Sequence, residues 1–191
     1  MDYKGRVIYQ TLYESPVGGL ILTASEDALV ALSFPKERYP GDVERLTKEG
    51  EVCIPDADKT PRILRETREW LDIYFSGKRP DFTPALAPEG SEFRKMVWEE
   101  LLRIPYGDTM TYGQIAKQVA VRKGISHMSA QAVGGAVGHN PIGIIIPCHR
   151  VVGAGGNLTG FGGGIRLKEA LLKREGIDMR PFYVPKKGTA L

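Results

Sequence analysis

Residues 111–150 read TYGQIAKQVAVRKGISHMSAQAVGGAVGHNPIGIIIPCHR, and their punctuation decides the second half of the chain. A short helical stretch, YGQIAKQVA, follows Thr111. The polar turn VRKG separates it from SAQAVGGAVGHN, which Ser129 can cap and which Asn140-Pro141 must stop. The spacing predicts helix, turn, helix. Next comes IGIIIP, a β-branched run suited to a buried strand or extended segment, and it delivers Cys148, His149 and Arg150.

Downstream, residues 153–164 form a long glycine-rich loop, and IRLKEALLKREG closes the unit as an amphipathic helix stopped by Gly176. Upstream, Ser91 can cap a helix carrying Phe93, Val97, Trp98 and Leu101, which ends before the breaker Pro105-Tyr106-Gly107. Residues 78–90, KRPDFTPALAPEG, hold three prolines and little pattern, so they read as a linker. Two domains are therefore expected, residues 1–90 and 91–191, with a polar tail from 177. The first opens on three antiparallel strands, RVIYQTLY, LILTAS and LVALSF, with the turn signal SPVGG after the first. DVERLTKEG is a candidate short helix. Thr60 and Pro61 then mark a helix start, and Ile63, Leu64, Thr67, Trp70, Leu71, Tyr74 and Phe75 share one face before Gly77.

The chain has 191 residues, 42% hydrophobic and 26% charged, which supports one domain or two small ones with a real core. No stretch is long and apolar enough for a membrane anchor, and MDYKGRVIYQ lacks a signal-peptide core, so the cytoplasm is the expected compartment. Two cysteines, Cys53 and Cys148, build no disulfide framework, and three scattered histidines give no zinc spacing. The net charge of +3 is unevenly divided. Residues 1–90 carry 12 Lys+Arg against 16 Asp+Glu, and residues 91–191 carry 14 against 7. Such a split is expected when one half faces a polyanion such as nucleic acid.

Cys148 beside His149 supplies the two components of a thiolate nucleophile and its base. A free thiol has a pKa of about 8.5, so a histidine and a carboxylate to orient it are needed near neutral pH. Adjacent residues on an extended segment point to opposite faces, so a bridging water is the simplest connection. In the helix before them, consecutive glycines cost about 1 kcal/mol each. Something must approach that backbone closely, either another element of the protein or a nucleic-acid groove.

Tyr112-Gly113-Gln114-Ile115-Ala116, Ala132-Val133-Gly134-Gly135-Ala136, Asn140-Pro141, Ile144–Val152 with Pro147-Cys148-His149-Arg150 at its centre, and Gly160-Phe161-Gly162-Gly163 with Lys168-Glu169 closely resemble the O6-alkylguanine-DNA alkyltransferases. The resemblance spans most of residues 91–176. It implies an α+β fold: an N-terminal ribonuclease H-like antiparallel sheet with helices, and a mainly helical, winged helix-turn-helix-like C-terminal domain. It implies direct-reversal DNA repair, a single-turnover transfer of an alkyl group from O6-alkylguanine, and from O4-alkylthymine, to Cys148 after nucleotide flipping. His149 would deprotonate Cys148 through a water, Glu175 would orient His149, and Asn140 would hold the turn before the cysteine segment. Tyr112 would contact the target nucleotide, and the carbonyls of Cys148 and Val151 with the amide of Gly162 would read the base edge. Ala130, Gln131, Gly134, Gly138, Arg150 and Phe161 complete the implied DNA-binding set. No cofactor, metal or obligate protein partner is implied; the partner is double-stranded DNA and the expected state a monomer.

The chain departs from the family pattern at Gln131, where an arginine usually inserts into the duplex. Glutamine can fill the gap and hydrogen-bond an orphaned base but brings no charge. The longer stretch between Tyr112 and Gln131 contributes Arg122 and Lys123, which are candidates for phosphate contacts instead. Three rivals compete: a catalytically silent lesion binder, disfavoured by Cys148; a helix-turn-helix transcription factor, which has no use for PCHR; and a cysteine hydrolase, which has no use for the small-sided helix.

Overall fold

A computed structural model describes residues 7–34 and 51–185, and its contacts divide the chain into two units, one up to Glu89 and one from Gly90. The candidate helix at 42–50 lies outside the described residues.

In the first unit, β1 (Val7–Ser15), β2 (Gly18–Ala24) and β3 (Leu29–Ser33) form the expected antiparallel meander. Ser15 Oγ accepts from Val17 N at the first turn, and Gly18 takes the positive φ (+110°) that lets the chain reverse. A fourth strand, β4 (Glu51–Cys53), pairs in parallel with β1, giving the order β3-β2-β1-β4. Three residues before Pro55 are too few to show a period of two. The helix α1 (Arg62–Phe75) packs on this sheet and buries Ile63, Leu64, Thr67, Trp70, Leu71, Tyr74 and Phe75, the predicted stripe. Its cap differs from expectation. Pro61 is the N-cap residue, with extended backbone, because the Thr60 hydroxyl is spent on the carbonyl of Asp56. The proline-rich stretch also carries contacts that a linker would lack. Ala85 O and Ala87 N bond to Leu29 on the edge of β3, and Trp70 Nε1 donates to Phe82 O at 2.9 Å.

The second unit starts with α2 (Glu92–Leu102), capped by Ser91, whose hydroxyl accepts from Arg94 N. The strand β5 (Met110–Thr111) leads into α3 (Tyr112–Lys123), where Thr111 and Gln114 form a reciprocal capping box. This helix runs further than its apolar period, through Val121, Arg122 and Lys123 to Gly124, whose φ of +65° ends it. Arg122 explains the extension: it pairs with Glu99 and with the buried Glu100 on α2. Then α4 (Ala130–Gly138), capped by Ser129, completes the helix-turn-helix, and the Trp98 indole on α2 donates to Ala136 O on α4 at 2.9 Å.

IGIII is not a strand. Ile142 to Ile146 make a buried turn in which Ile146 N reaches Ile142 O at 3.0 Å, with Ile144 at φ +68°. A β-branched residue is costly in that region, by about 1–3 kcal/mol. Asn140 offsets the cost: its amide nitrogen donates to Ile146 O at 2.8 Å, and its oxygen accepts from Ile142 N at 3.1 Å. Cys148–Arg150 follow as one 3-10 turn, β6 (Val151–Val152) pairs in parallel with β5, and α5 (Ile165–Arg174) packs against the Cys148–Arg150 turn.

Candidate active site

The turn and helix together put Cys148, His149, Arg150 and Glu175 in one place. Cys148 is 8% exposed, and His149 is fully buried. His149 Nε2 lies 2.6 Å from Glu175 Oε1. A carboxylate can only accept, so Nε2 carries the proton and Nδ1 is the basic nitrogen. Arg150 donates from Nε to Glu175 Oε2 at 2.7 Å and from Nη2 to Oε1 at 3.0 Å, and Gly107 N donates to Oε2 at 3.2 Å. The remaining arm of Arg150 donates to Ile104 O at 2.7 Å, and Tyr106 lies against the guanidinium.

Burial, aided by the positive charges of Arg150 and Lys168, lowers His149 below its ordinary value although Glu175 pulls it up. The resting imidazole is therefore neutral, as a base must be. Burial raises Glu175, but the hydrogen bonds and charges of His149 and Arg150 outweigh it and bring the carboxyl to about 2. With its folded value below its unfolded one, Glu175 stabilises the fold above about pH 4.5 and loses that contribution as the pH falls toward 2. The drop from 4.5 to about 2 corresponds to roughly 3 kcal/mol. Denaturant unfolding between pH 5 and pH 2 is expected to show this loss, and Glu175→Gln should flatten it. An unchanged acid limb in the variant would contradict the assignment.

The phenol of Tyr112 bonds to Thr159 O at 3.3 Å and Gly160 O at 3.2 Å. Burial first, and then the charge of Cys148, push it up, so it stays a donor. Lys168, which the sequence placed in the family motif without a role, is fully buried. Its ammonium donates to Val151 O and to Thr159 O at 2.9 Å. Burial lowers it to about 8 and coupling to Cys148 opposes that fall, so a positive charge stands near the sulfur at neutral pH. Among the described residues, no group of three or more His, Cys, Asp or Glu is placed to hold a metal ion.

The helix α4 divides cleanly. Val133, Gly134, Ala136 and Val137 are buried, whereas Ala130, Gln131, Ala132, Gly135 and Gly138 are exposed. Among the described residues, a β-carbon added at Gly135 or Gly138 would meet nothing within 4 Å, so packing against them does not require these glycines.

Residues 92–177 match the DNA-binding domain model of 6-O-methylguanine DNA methyltransferase, and residues 8–88 match the ribonuclease-like domain model of the same family. The chain belongs to this family. A methylated-DNA–protein-cysteine methyltransferase of Methanosarcina acetivorans is 42% identical over 170 residues, which cover 88% of this chain and 99% of that protein. The crystal structure of the Mycobacterium tuberculosis O6-methylguanine methyltransferase superposes with a TM-score of 0.70 at 37% identity, covering 88% of this chain and 92% of that one. Mycobacterium tuberculosis OGT in complex with DNA gives 0.71 at 35% identity, covering 92% and 94%.

Within this 6-O-methylguanine DNA methyltransferase family member, several residues of the implied DNA-binding set have partners inside the protein. Arg150 is buried and pairs with Glu175. Gly134 lies on the buried side of α4, and the exposed small residues are Ala130, Ala132, Gly135 and Gly138. Arg122 and Lys123 are engaged within the unit, Arg122 with Glu99 and Glu100 and Lys123 over the Phe93 ring at 5.8 Å. Phe161 is half-buried and Gly162 exposed in the glycine-rich loop, while Val151 is buried with its carbonyl on Lys168. Among the described residues, no helix is long and apolar enough to cross a membrane.

Proposed function

We propose that this methyltransferase repairs O6-alkylguanine in double-stranded DNA by moving the alkyl group to its own Cys148, once per molecule, after rotating the damaged nucleotide out of the stack. The observation that carries the reading is the buried Cys148 next to a neutral His149, whose Nε2–H is fixed by an ionised Glu175. His149 Nδ1 takes the thiol proton through a water, and Glu175 stabilises the imidazolium that results. Lys168 favours the thiolate. The sulfur then attacks the alkyl carbon, an S–C bond forms, and the C–O6 bond breaks. Guanine leaves with its electron pair and gains a proton. Tyr112, held protonated, donates toward O6 as charge builds there. O4-alkylthymine undergoes the analogous displacement: the C–O4 bond breaks and thymine leaves with the electron pair and gains a proton.

An alkyl carbon inside a base stack is beyond the reach of any side chain, which is why extrusion is required. The exposed small residues of α4 let its backbone come close to a groove, and the asymmetry of charge toward residues 91–191 favours a polyanion there. Gln131, exposed near the start of α4, fills the space left by the rotated nucleotide. Gln131→Ala should slow repair in duplex DNA more than reaction with the free modified base; equal effects would refute this role.

A thioether is a poor leaving group, so each molecule acts once; the reading also takes the protein to be a cytoplasmic monomer that needs no cofactor or obligate protein partner. With methylated duplex in excess, the lesions repaired should equal the protein molecules supplied. Repair that continues past equivalence would overturn the single-turnover reading.

A further inference from the structure

The glycine-rich loop closes on itself through Gly153 N to Asn157 O at 2.7 Å and Gly164 N to Phe161 O at 2.9 Å, and the rest of its hold comes from outside. Gly155, Gly156, Gly160 and Gly164 all have positive φ, and residues 160–164 carry one large side chain, Phe161. Near its middle the loop is pinned from the Cys148 side, where Thr159 O and Gly160 O accept from Tyr112 and Thr159 O from Lys168. One residue earlier it is pinned from the other side. Leu158 N donates to Tyr183 O at 2.9 Å, and Tyr183 N donates to Gly156 O at 3.0 Å, a short parallel bridge between the loop and the segment after α5. Ile177, Met179 and Phe182 pack against Val152, Leu158 and Leu172, so this segment has an apolar anchor as well. A β-carbon on Gly156 would overlap the Pro181 carbonyl, which makes glycine necessary at that contact.

Leu158 and Thr159 are adjacent. Any shift of the 177–184 segment moves Leu158, and with it the carbonyl that bonds to Tyr112 and Lys168, the two groups coupled to Cys148. Residues 160–164 are mostly bare backbone, so their path is set by the anchors on either side of Thr159 more than by side-chain bulk. We propose that residues 177–184 position the glycine-rich loop against Cys148 and thereby restrict the size of the alkyl group that the site accepts. This rests on the alkyl-transfer reading above, and it adds a specificity role to a segment outside the reacting residues.

The test uses the full chain and two variants. Phe182→Ala removes the apolar anchor, with Phe182→Leu as its conservative partner. Tyr183→Pro removes the amide that bonds Gly156 O while leaving the cluster intact, since the Tyr183 side chain is 53% exposed. Rates of transfer to Cys148 are read by intact mass from duplexes carrying O6-methylguanine or O6-benzylguanine. Loosening the loop is expected to slow methyl transfer roughly tenfold, since small misplacements are costly, and benzyl transfer less, so that the benzyl-to-methyl ratio rises several-fold. Phe182→Leu should restore the ratio. A merely structural role would lower both rates together, and an unchanged ratio in both Phe182→Ala and Tyr183→Pro overturns the proposal. Failure of the unaltered chain to accept either group would instead overturn the alkyl-transfer reading itself.

Discussion

The Cys148→Ala protein is expected to fold, to bind methylated duplex DNA, and to remove no methyl group from it. The substitution deletes one sulfur atom from a site already 8% exposed, so its effect on stability should be near 1 kcal/mol, at the low end for a buried truncation. Its effect on chemistry should be complete. Among the groups coupled to this site, Lys168 is held as an ammonium and Tyr112 as a phenol, and neither is a competent nucleophile in those forms. Cys148→Ser tests the same point less severely, because an alcohol beside the same histidine is much harder to ionise than a thiol. Methyl uptake by Cys148→Ala would move the acceptor elsewhere, with Cys53 on β4 the first candidate.

Glu175→Gln should have the second largest effect, and it should damage both chemistry and stability. The carboxylate accepts from His149, twice from Arg150 and once from the Gly107 amide, all within a buried site. An amide keeps one acceptor oxygen, cannot balance the guanidinium, and presents a donor where another partner donates. Breaking a buried ion pair from one side costs about 3–5 kcal/mol. The imidazolium formed during transfer loses its counter-charge, so the rate should fall by about two to four orders of magnitude in molecules that remain folded. Single-turnover rates measured well below the unfolding transition separate the two losses. A variant that is destabilised but reacts at the normal rate would show that Glu175 supports the fold without helping His149.

The helix caps show what was legible in the sequence. Ser91 and Ser129 stand before apolar periods and accept from backbone amides three residues on, and the α1 stripe was complete. Such features depend on neighbours within a turn or two. The misread ones depend on distant partners. IGIII has the composition of a strand, but Asn140 closes it into a turn that buries all of its isoleucines, and no local pattern reports that bond. β4, β5 and β6 have two or three residues each, too short for a period. At the site, Cys148 and His149 were read from the residues themselves, Glu175, Asn140 and Tyr112 from the family resemblance, and the structure places Cys148, His149 and Glu175 together. The pairing of Arg150 with Glu175, 25 residues on, was not legible because it depends on how α5 folds back on the cysteine turn. Lys168 was quoted in the family motif without a role, because only the fold reveals its carbonyl partners.

The sulfur of Cys148 is the one atom on which the transfer depends. Incubating the intact protein with an excess of duplex containing one O6-methylguanine, then measuring its mass and mapping the modified peptide, tests it directly. The expected result is a single methyl increment on every active molecule, located on Cys148. Loss of the lesion with Cys148 unmodified, or a methyl group on any other residue, would contradict it.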